Sequence, residues 1–344
     1  MDEMPGLRDA LDRYLAGAAP GAAWPALVAA GVTGLLVPEE LGGLGLPTAA
    51  AAAVMEAIGA HNAATPFLET AVVAARLLQI GRSGAGDAIL RAIAGGAPVA
   101  VAGLDTRLRP TLSATPVADG WRLDGDAALV LDGATADHLL VVARTERYAS
   151  ALLLVDTSRG AVLARAYPTI DGRAAADLRF LAVDATLLAS EVDEALDAIA
   201  DVALACLATE AAALMQRLVD DTVAYTKQRE QFGQPIARFQ TIQHRLADMH
   251  IQTRRTRAIA ARAIDALDAH RAERARLASA AKVTAANAGR FVGQNAVQLH
   301  GGMGMTEELP VGRCFKRLTA IEHELGSADQ HRRRYARMAA QAPR

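Results

Sequence analysis

Two short segments in the last third of the chain combine residue types able to hold a large anionic ligand. The first reads Arg229-Glu230-Gln231-Phe232-Gly233-Gln234-Pro235-Ile236, followed by Phe239-Gln240, Ile242-Gln243-His244 and Leu246-Ala247-Asp248-Met249. A guanidinium at a helix end beside a glycine–proline turn can pair bidentately with a diphosphate, and a phenylalanine there can lie against an adenine face. The second reads Ala296-Val297-Gln298-Leu299-His300-Gly301-Gly302-Met303-Gly304-Met305-Thr306. Here an amide side chain precedes paired glycines, whose missing Cβ atoms permit close approach of a ligand to the backbone. Periodicity leaves a second reading open, in which Gly301-Gly302 only caps a buried helix.

Other reactive residue types lack partners. His244 and His300 stand alone at catalytic spacing, and both suit structural or cofactor-adjacent roles. His331-Arg332-Arg333-Arg334-Tyr335 can meet a coenzyme phosphate or form a solvated last-helix face favoured by the helix dipole. Cys206 and Cys314 are far apart, with no histidine or cysteine at ligand spacing, so no metal site is expected. Serine nucleophile elbow, phosphate loop and dinucleotide glycine fingerprint are all absent from the sequence.

The elements that must position the two segments follow from composition and punctuation. At 344 residues and 52% hydrophobic content the chain can bury more than one core. A formal net charge of -2 gives no global field for nucleic acid or an anionic membrane. An acidic N-terminus without an apolar stretch and only two cysteines point to the cytoplasm. The apolar stretch Thr48 to Ala60 is too short to span a bilayer and reads as a core helix.

From Leu7 to about Ile93 the pattern is helical. From about Pro98, β-branched runs at Val99–Val101, Leu129–Leu131 and Leu139–Val142 alternate with turns expected at Asp124-Gly125 and Asp132-Gly133. No glycine or proline interrupts Asp193 to Phe232 or Ile236 to Ala288, so long helices are expected, with Ile242, Leu246, Met249 and Thr253 as one buried stripe.

In order and surroundings, both segments resemble the C-terminal signatures of the acyl-CoA dehydrogenase family. Val37-Pro38-Glu39-Glu40-Leu41-Gly42-Gly43-Leu44-Gly45 is similar to a loop of that family's N-terminal domain, and Trp121-Arg122-Leu123-Asp124-Gly125 with Val141-Val142-Ala143-Arg144 to its middle domain. The resemblance implies an α+β multidomain fold: a helical N-terminal domain (1–97), a middle β-barrel domain (98–192) and a C-terminal four-helix bundle (193–344). It implies FAD as cofactor, with Arg229 on the pyrophosphate, Phe232 by the adenosine, Gln240 reaching the cofactor, and Gln298, Gly301 and Gly302 closing over FAD from a neighbouring subunit. It also implies oxidation of the Cα–Cβ bond of an acyl-CoA, a dimer or tetramer with itself or related subunits, and electron-transfer flavoprotein as acceptor.

The resemblance breaks at the base. Family members carry a glutamate directly before a glycine and a small hydroxyl residue, shortly after a basic strip that here is Phe315-Lys316-Arg317-Leu318. Registering on Gly326 places Leu325 at that position, and a second position used by some members falls near Ala203. Glu324 can serve only if the loop shifts by one residue, Glu210 only if it reaches the site, and otherwise a partner subunit supplies the base. Ser327 either contacts the flavin or only caps the turn. The middle-domain segment Leu104–Pro110 lacks the glycine- and serine-rich loop that active members place against the flavin ring. The C-terminal part looks most like the small subunits of bacterial two-subunit acyl-CoA dehydrogenases of pimeloyl-CoA and steroid side-chain type. The alternatives are a non-catalytic structural subunit and a flavin oxidase acting on a non-CoA substrate.

Overall fold

The computed structural model describes residues 5–16, 21–105, 109–118, 120–155, 161–306 and 309–341. Five helices come first: α1 (Pro5–Ala16), α2 (Ala23–Ala29), α3 (Thr48–His61), α4 (Ala75–Leu78) and α5 (Gly84–Ala94). A π-helical turn, Leu68–Ala74, leads into α4. Helix α5 starts where Ser83 accepts a hydrogen bond from the Gly86 N–H at 3.1 Å, satisfying one orphan donor of the first turn.

Seven strands follow: β1 (Val99–Ala102), β2 (Leu112–Val117), β3 (Gly120–Leu131), β4 (His138–Arg144), β5 (Ala151–Val155), β6 (Ala161–Pro168) and β7 (Ala174–Ser190). Strand β4 pairs with β2, β2 with β3, β3 with β7, β7 with β5, and β5 returns to β4, so five strands close a barrel. Strand β1 adds parallel to β4 and β6 antiparallel to β7. Leu112, Leu123, Val141, Leu153, Leu178 and Phe180 fill its interior from alternate positions of their strands.

Asp124-Gly125 is not the expected turn. It lies inside the twelve-residue β3, where the register to β7 shifts between Leu123 and Gly125. Gly125 has φ 126°, and a Cβ there would meet Leu112 at 2.9 Å, so the glycine makes a bulge that bends the strand over the barrel core. Asp132-Gly133 does turn the chain, immediately after β3.

The last part is helical: α6 (Asp193–Gln228), a two-residue-strand hairpin of β8 (Glu230–Gln231) and β9 (Gln234–Pro235), then α7 (Gln240–Asp268), α8 (Arg274–His300), a 3-10 turn Gly301–Met305, α9 (Pro310–His323) and α10 (Ala328–Gln341). Helix α6 is long and apolar enough to cross a bilayer, yet 89% of its most apolar window is buried, as in the core helix of a folded protein.

The stretch from Ile236 to Ala288, expected to form long helices, is divided between α7 and α8 without glycine or proline. His270 takes φ 49°, its N–H bonds to the Leu267 carbonyl at 3.1 Å, and the Arg271 N–H reaches Ala266 at 2.9 Å. That is a Schellman ending with histidine where glycine is usual. The expected stripe on α7 is buried only at Met249 and Thr253, with Ile242 and Leu246 half-buried.

The chain forms two compact units. One comprises Asp9–Ala51 and Ala64–Ala203. The other comprises Met1–Arg8, Ala52–Ala63 and Leu204–Arg344 and carries both ligand-type segments.

Candidate functional site

Helix α6 ends one residue before Arg229, whose N–H still bonds to the Tyr225 carbonyl at 2.9 Å. The chain then reverses through Phe232-Gly233, with φ 54° and 77°, between β8 and β9. Two consecutive positive φ values suit a tight hairpin, but a bulky residue in the first of them is strained. Phe232 is 92% exposed, touching the edge of the Phe239 ring at a centroid distance of 6.1 Å. The Arg229 side chain is exposed and makes no hydrogen bond or ion pair among the described residues. A strained, uncovered aromatic beside a free guanidinium is costly in an isolated chain and suited to receiving a ligand.

The second segment ends α8. Gly301 has φ 61° and ψ -142°, a backbone shape that requires glycine, and nothing lies within 4 Å of the Cβ positions of Gly301 or Gly302. Gln298 is exposed on the preceding turn, and Gln240 is exposed at the start of α7. His300 is buried, bonding through Nδ1 to the Ala296 carbonyl at 2.8 Å. Its ring stacks on Tyr225 at 4.3 Å, and the Tyr225 hydroxyl donates to the His300 carbonyl at 3.4 Å. Tyr225 lies one turn before Arg229 and His300 directly before Gly301, so this contact brings the two turns to the same end of one chain. Tyr225 was invisible as a site residue in the sequence, because nothing marks a helix tyrosine as the clasp between distant turns.

The expected base position lies away from these turns. Glu210, midway along α6, precedes Arg229 by nineteen positions, a rise of about 28 Å along the axis. Helix α9 ends at His323, and the chain turns through Leu325 (φ 54°) and Gly326 (φ 100°). Leu325 is half-buried and Ala203 fully buried, so neither position offers a proton acceptor.

Glu210 and Glu324 are both held by Arg317. The Arg317 Nε and Nη2 donate to the two Glu210 oxygens at 2.6 and 2.8 Å, and Nη1 and Nη2 to Glu324 at 2.5 and 3.3 Å. Burial alone would lower the Arg317 pKa, but Glu210 and Glu324 outweigh it and raise it well above the usual value. One guanidinium thus serves two carboxylates in a buried fork.

A buried lysine and a histidine pin the same loop. Lys282, on α8 and 1% exposed, donates through Nζ to the carbonyls of Ile321 and Glu324, and the His331 Nε2 bonds to the Leu325 carbonyl at 2.7 Å. Burial pushes Lys282 down to about 8; Glu324 opposes that drop and Arg317 adds to it. His331 is lowered, first by burial and then by Lys282 and Arg334, against the hydrogen bond to Leu325. Ser327 and Gln330 exchange bonds at the start of α10: the Ser327 N–H reaches Gln330 Oε1 at 2.7 Å and the Gln330 N–H reaches Ser327 Oγ at 3.4 Å. The hydroxyl thus caps a helix. Lys282 escaped the sequence reading, although a lone lysine among Leu277–Ala288 alanines was the available signal.

Leu104 bridges to Pro110, Arg109 donates to Asp105 at 2.9 Å through its N–H and pairs with Asp197 at 2.8 Å, while Thr106, Arg107 and Leu108 lie outside the described residues. Among the described residues no group of three histidine, cysteine or carboxylate side chains is placed to hold a metal.

Comparison with known proteins agrees with this architecture. The family signature described as acyl-CoA dehydrogenase, C-terminal domain, matches residues 199–340, and that described as acyl-CoA dehydrogenase, N-terminal domain, matches residues 7–97. The chain is 31% identical over 338 residues to the acyl-CoA dehydrogenase FadE27 of Mycobacterium tuberculosis (strain ATCC 25618 / H37Rv), covering 93% of this chain and 88% of that protein. The chain belongs to the acyl-CoA dehydrogenase family.

Other acyl-CoA dehydrogenases extend the likeness. FadE28 of the same organism is 30% identical over 315 residues, with 88% of each chain covered. Among solved structures, the Tcur3481-Tcur3483 steroid ACAD superposes with a TM-score of 0.88 at 28% identity, covering 99% of this chain and 98% of that one. The ChsE4-ChsE5 complex from Mycobacterium tuberculosis gives 0.88 at 25% identity, with 98% and 97% covered. Membership makes this chain an FAD-dependent oxidoreductase of the CH–CH class. The free Arg229 guanidinium, the bare Phe232 ring and the open space over Gly301-Gly302 fit the dinucleotide half of FAD.

Proposed function

We propose that this acyl-CoA dehydrogenase chain is one subunit of an oligomer, in which it grips the dinucleotide half of an FAD and a related partner subunit supplies the base. Arg229 would pair with the pyrophosphate, Phe232 lie by the adenosine, and Gln240, Gln298, Gly301 and Gly302 complete the hold. Bound FAD would accept the hydride from Cβ of an acyl-CoA whose α-proton the partner's carboxylate removes. Electron-transfer flavoprotein would reoxidise it in the cytoplasm.

One observation carries this reading: the glutamates nearest the vacated base position, Glu210 and Glu324, are both consumed by Arg317, whereas Arg229 and Phe232 stand open about 28 Å of helix away. At that separation the flavin held by the turns has its reacting end against another chain. Ser327, at the base end, then contributes to helix α10 rather than to that flavin. The paired names ChsE4-ChsE5 and Tcur3481-Tcur3483 support a two-component assembly, and the word steroid in the second supports an acyl-CoA with a steroid side chain as substrate class. The domains of the proposed subunit are 1–97, 98–192 and 193–344.

Co-expression with a neighbouring acyl-CoA dehydrogenase-like gene product, followed by sizing and flavin counting, tests this. The expected outcome is one FAD per two chains, bleached anaerobically by an acyl-CoA. A complex colourless after incubation with FAD supports a purely structural subunit. A yellow complex bleached by no acyl-CoA supports an oxidase acting elsewhere.

A further inference from the structure

The 3-10 turn Gly301–Met305 presents two methionines that the cofactor contacts proposed above do not use. Met303 is 45% exposed and Met305 73%. Neither is on a flexible tip. Gly304, between them, is buried, and a Cβ there would stand 2.7 Å from the Val297 carbonyl oxygen and 3.0 Å from its Cα, so the turn is folded tightly back onto α8. Thr306 closes it again, its hydroxyl donating to the Met303 carbonyl at 3.0 Å and its N–H at 3.3 Å. Helix α9 also comes close: a Cβ at Gly312 would lie 3.3 Å from the carbonyl oxygens of Gly304 and Thr306. The backbone is thus fixed on both flanks while two long thioethers project outward.

Exposed apolar side chains on a rigid turn are a cost in an isolated chain, and methionine is the residue that moulds itself to a flat aromatic surface. The same end of the chain carries the exposed Phe232 ring, through the Tyr225–His300 clasp. Phosphates would be met by Arg229 and by the backbone at Gly301-Gly302, which leaves the adenine as the only broad apolar face of that half of FAD. We propose that Met303 and Met305 form, with Phe232, an apolar clamp on the adenine of the bound FAD. This rests on the proposal that the two turns hold the dinucleotide half of the cofactor. The clamp adds cofactor-binding residues just beyond the paired glycines and makes retention of FAD sensitive to methionine oxidation, since each sulfoxide would set a polar oxygen against the ring.

Peroxide footprinting of the co-expressed complex, with and without FAD, reads this directly. In the flavin-free complex Met303 and Met305 oxidise readily. With saturating FAD their oxidation slows at least tenfold, while other exposed residues are unchanged. Met305→Ser weakens FAD binding about tenfold, with the melting temperature of the flavin-free complex unchanged. Equal oxidation with and without FAD, in a complex that does bind it and loses it on Arg229→Ala, overturns the clamp and leaves the function standing. Protection by the partner subunit alone, before FAD is added, assigns the methionines to the subunit interface and overturns it as well. A complex that binds no FAD overturns both.

Discussion

Lys282 shows what a single residue can be asked to bear. Its ammonium is buried against α9 and ties two carbonyls at the turn into Leu325. Cations are welcome at helix C-termini, but the loss of water dominates here and lowers its pKa to about 8, first through burial and further through Arg317, against the attraction of Glu324. The sign follows from linkage. The unfolded chain binds this proton up to about 10.5, so between about 8 and 10.5 the unfolded state carries more protons than the folded one. The charged lysine therefore costs stability below about 8, and the cost disappears as pH rises. Relative to Lys282→Met, the wild type should gain roughly 3 kcal/mol between pH 7 and 10.5. Urea unfolding of both proteins across that range checks it, and parallel curves would sink the claim. Arg317 is the opposite case, because each of its carboxylate partners, Glu210 and Glu324, offsets its burial.

At the scale of elements, the reversals decide where the site falls. The two turns exist because the hairpin that follows α6 reverses at Phe232 and Gly233, and α8 stops at Gly301, all three with positive φ. The α7–α8 reversal does the same with His270, whose φ of 49° suits glycine better. Its side chain is exposed, so His270→Gly relieves the left-handed strain without removing packing. We expect a gain of about 0.5–1 kcal/mol, read as a higher melting temperature with unchanged flavin content. A loss of stability would show that the histidine ring contributes more than its backbone costs. Gly304 belongs to the same scale: any larger residue would push the methionine turn off α8.

For the whole molecule, the relevant fact is how much of the cofactor-type surface one chain leaves uncovered. Phe232, Met303 and Met305 are exposed together, and the first four turns of α7 bury only Met249 and Thr253. A chain shaped this way is stabilised by whatever binds the native state and not the unfolded one. Its melting temperature should therefore rise with FAD and with partner concentration, by about 2.7 kcal/mol of added stability at a hundredfold excess of ligand over its dissociation constant. Differential scanning of the complex across protein concentrations tests this, and a midpoint independent of both would contradict an obligatory shared site.

Sequence alone was enough for the helical–β–helical order, because glycine and proline punctuation and two-residue alternation are local signals. It also supplied the residues of both turns, since Arg229, Phe232, Gln298, Gly301 and Gly302 stand in contiguous motifs. It misplaced the Asp124-Gly125 bulge, since the same dipeptide serves a turn or a bulge, and it carried no signal for the helix end at His270, where no glycine marks the left-handed residue. It left Glu210, Glu324 and Ser327 open. Only the folded chain shows Arg317 spanning residues 210 and 324, and Lys282 and His331 closing the loop between them. An ion pair between side chains more than a hundred positions apart has no local signature; its existence depends on which helices pack, and that is settled by burial of the whole core.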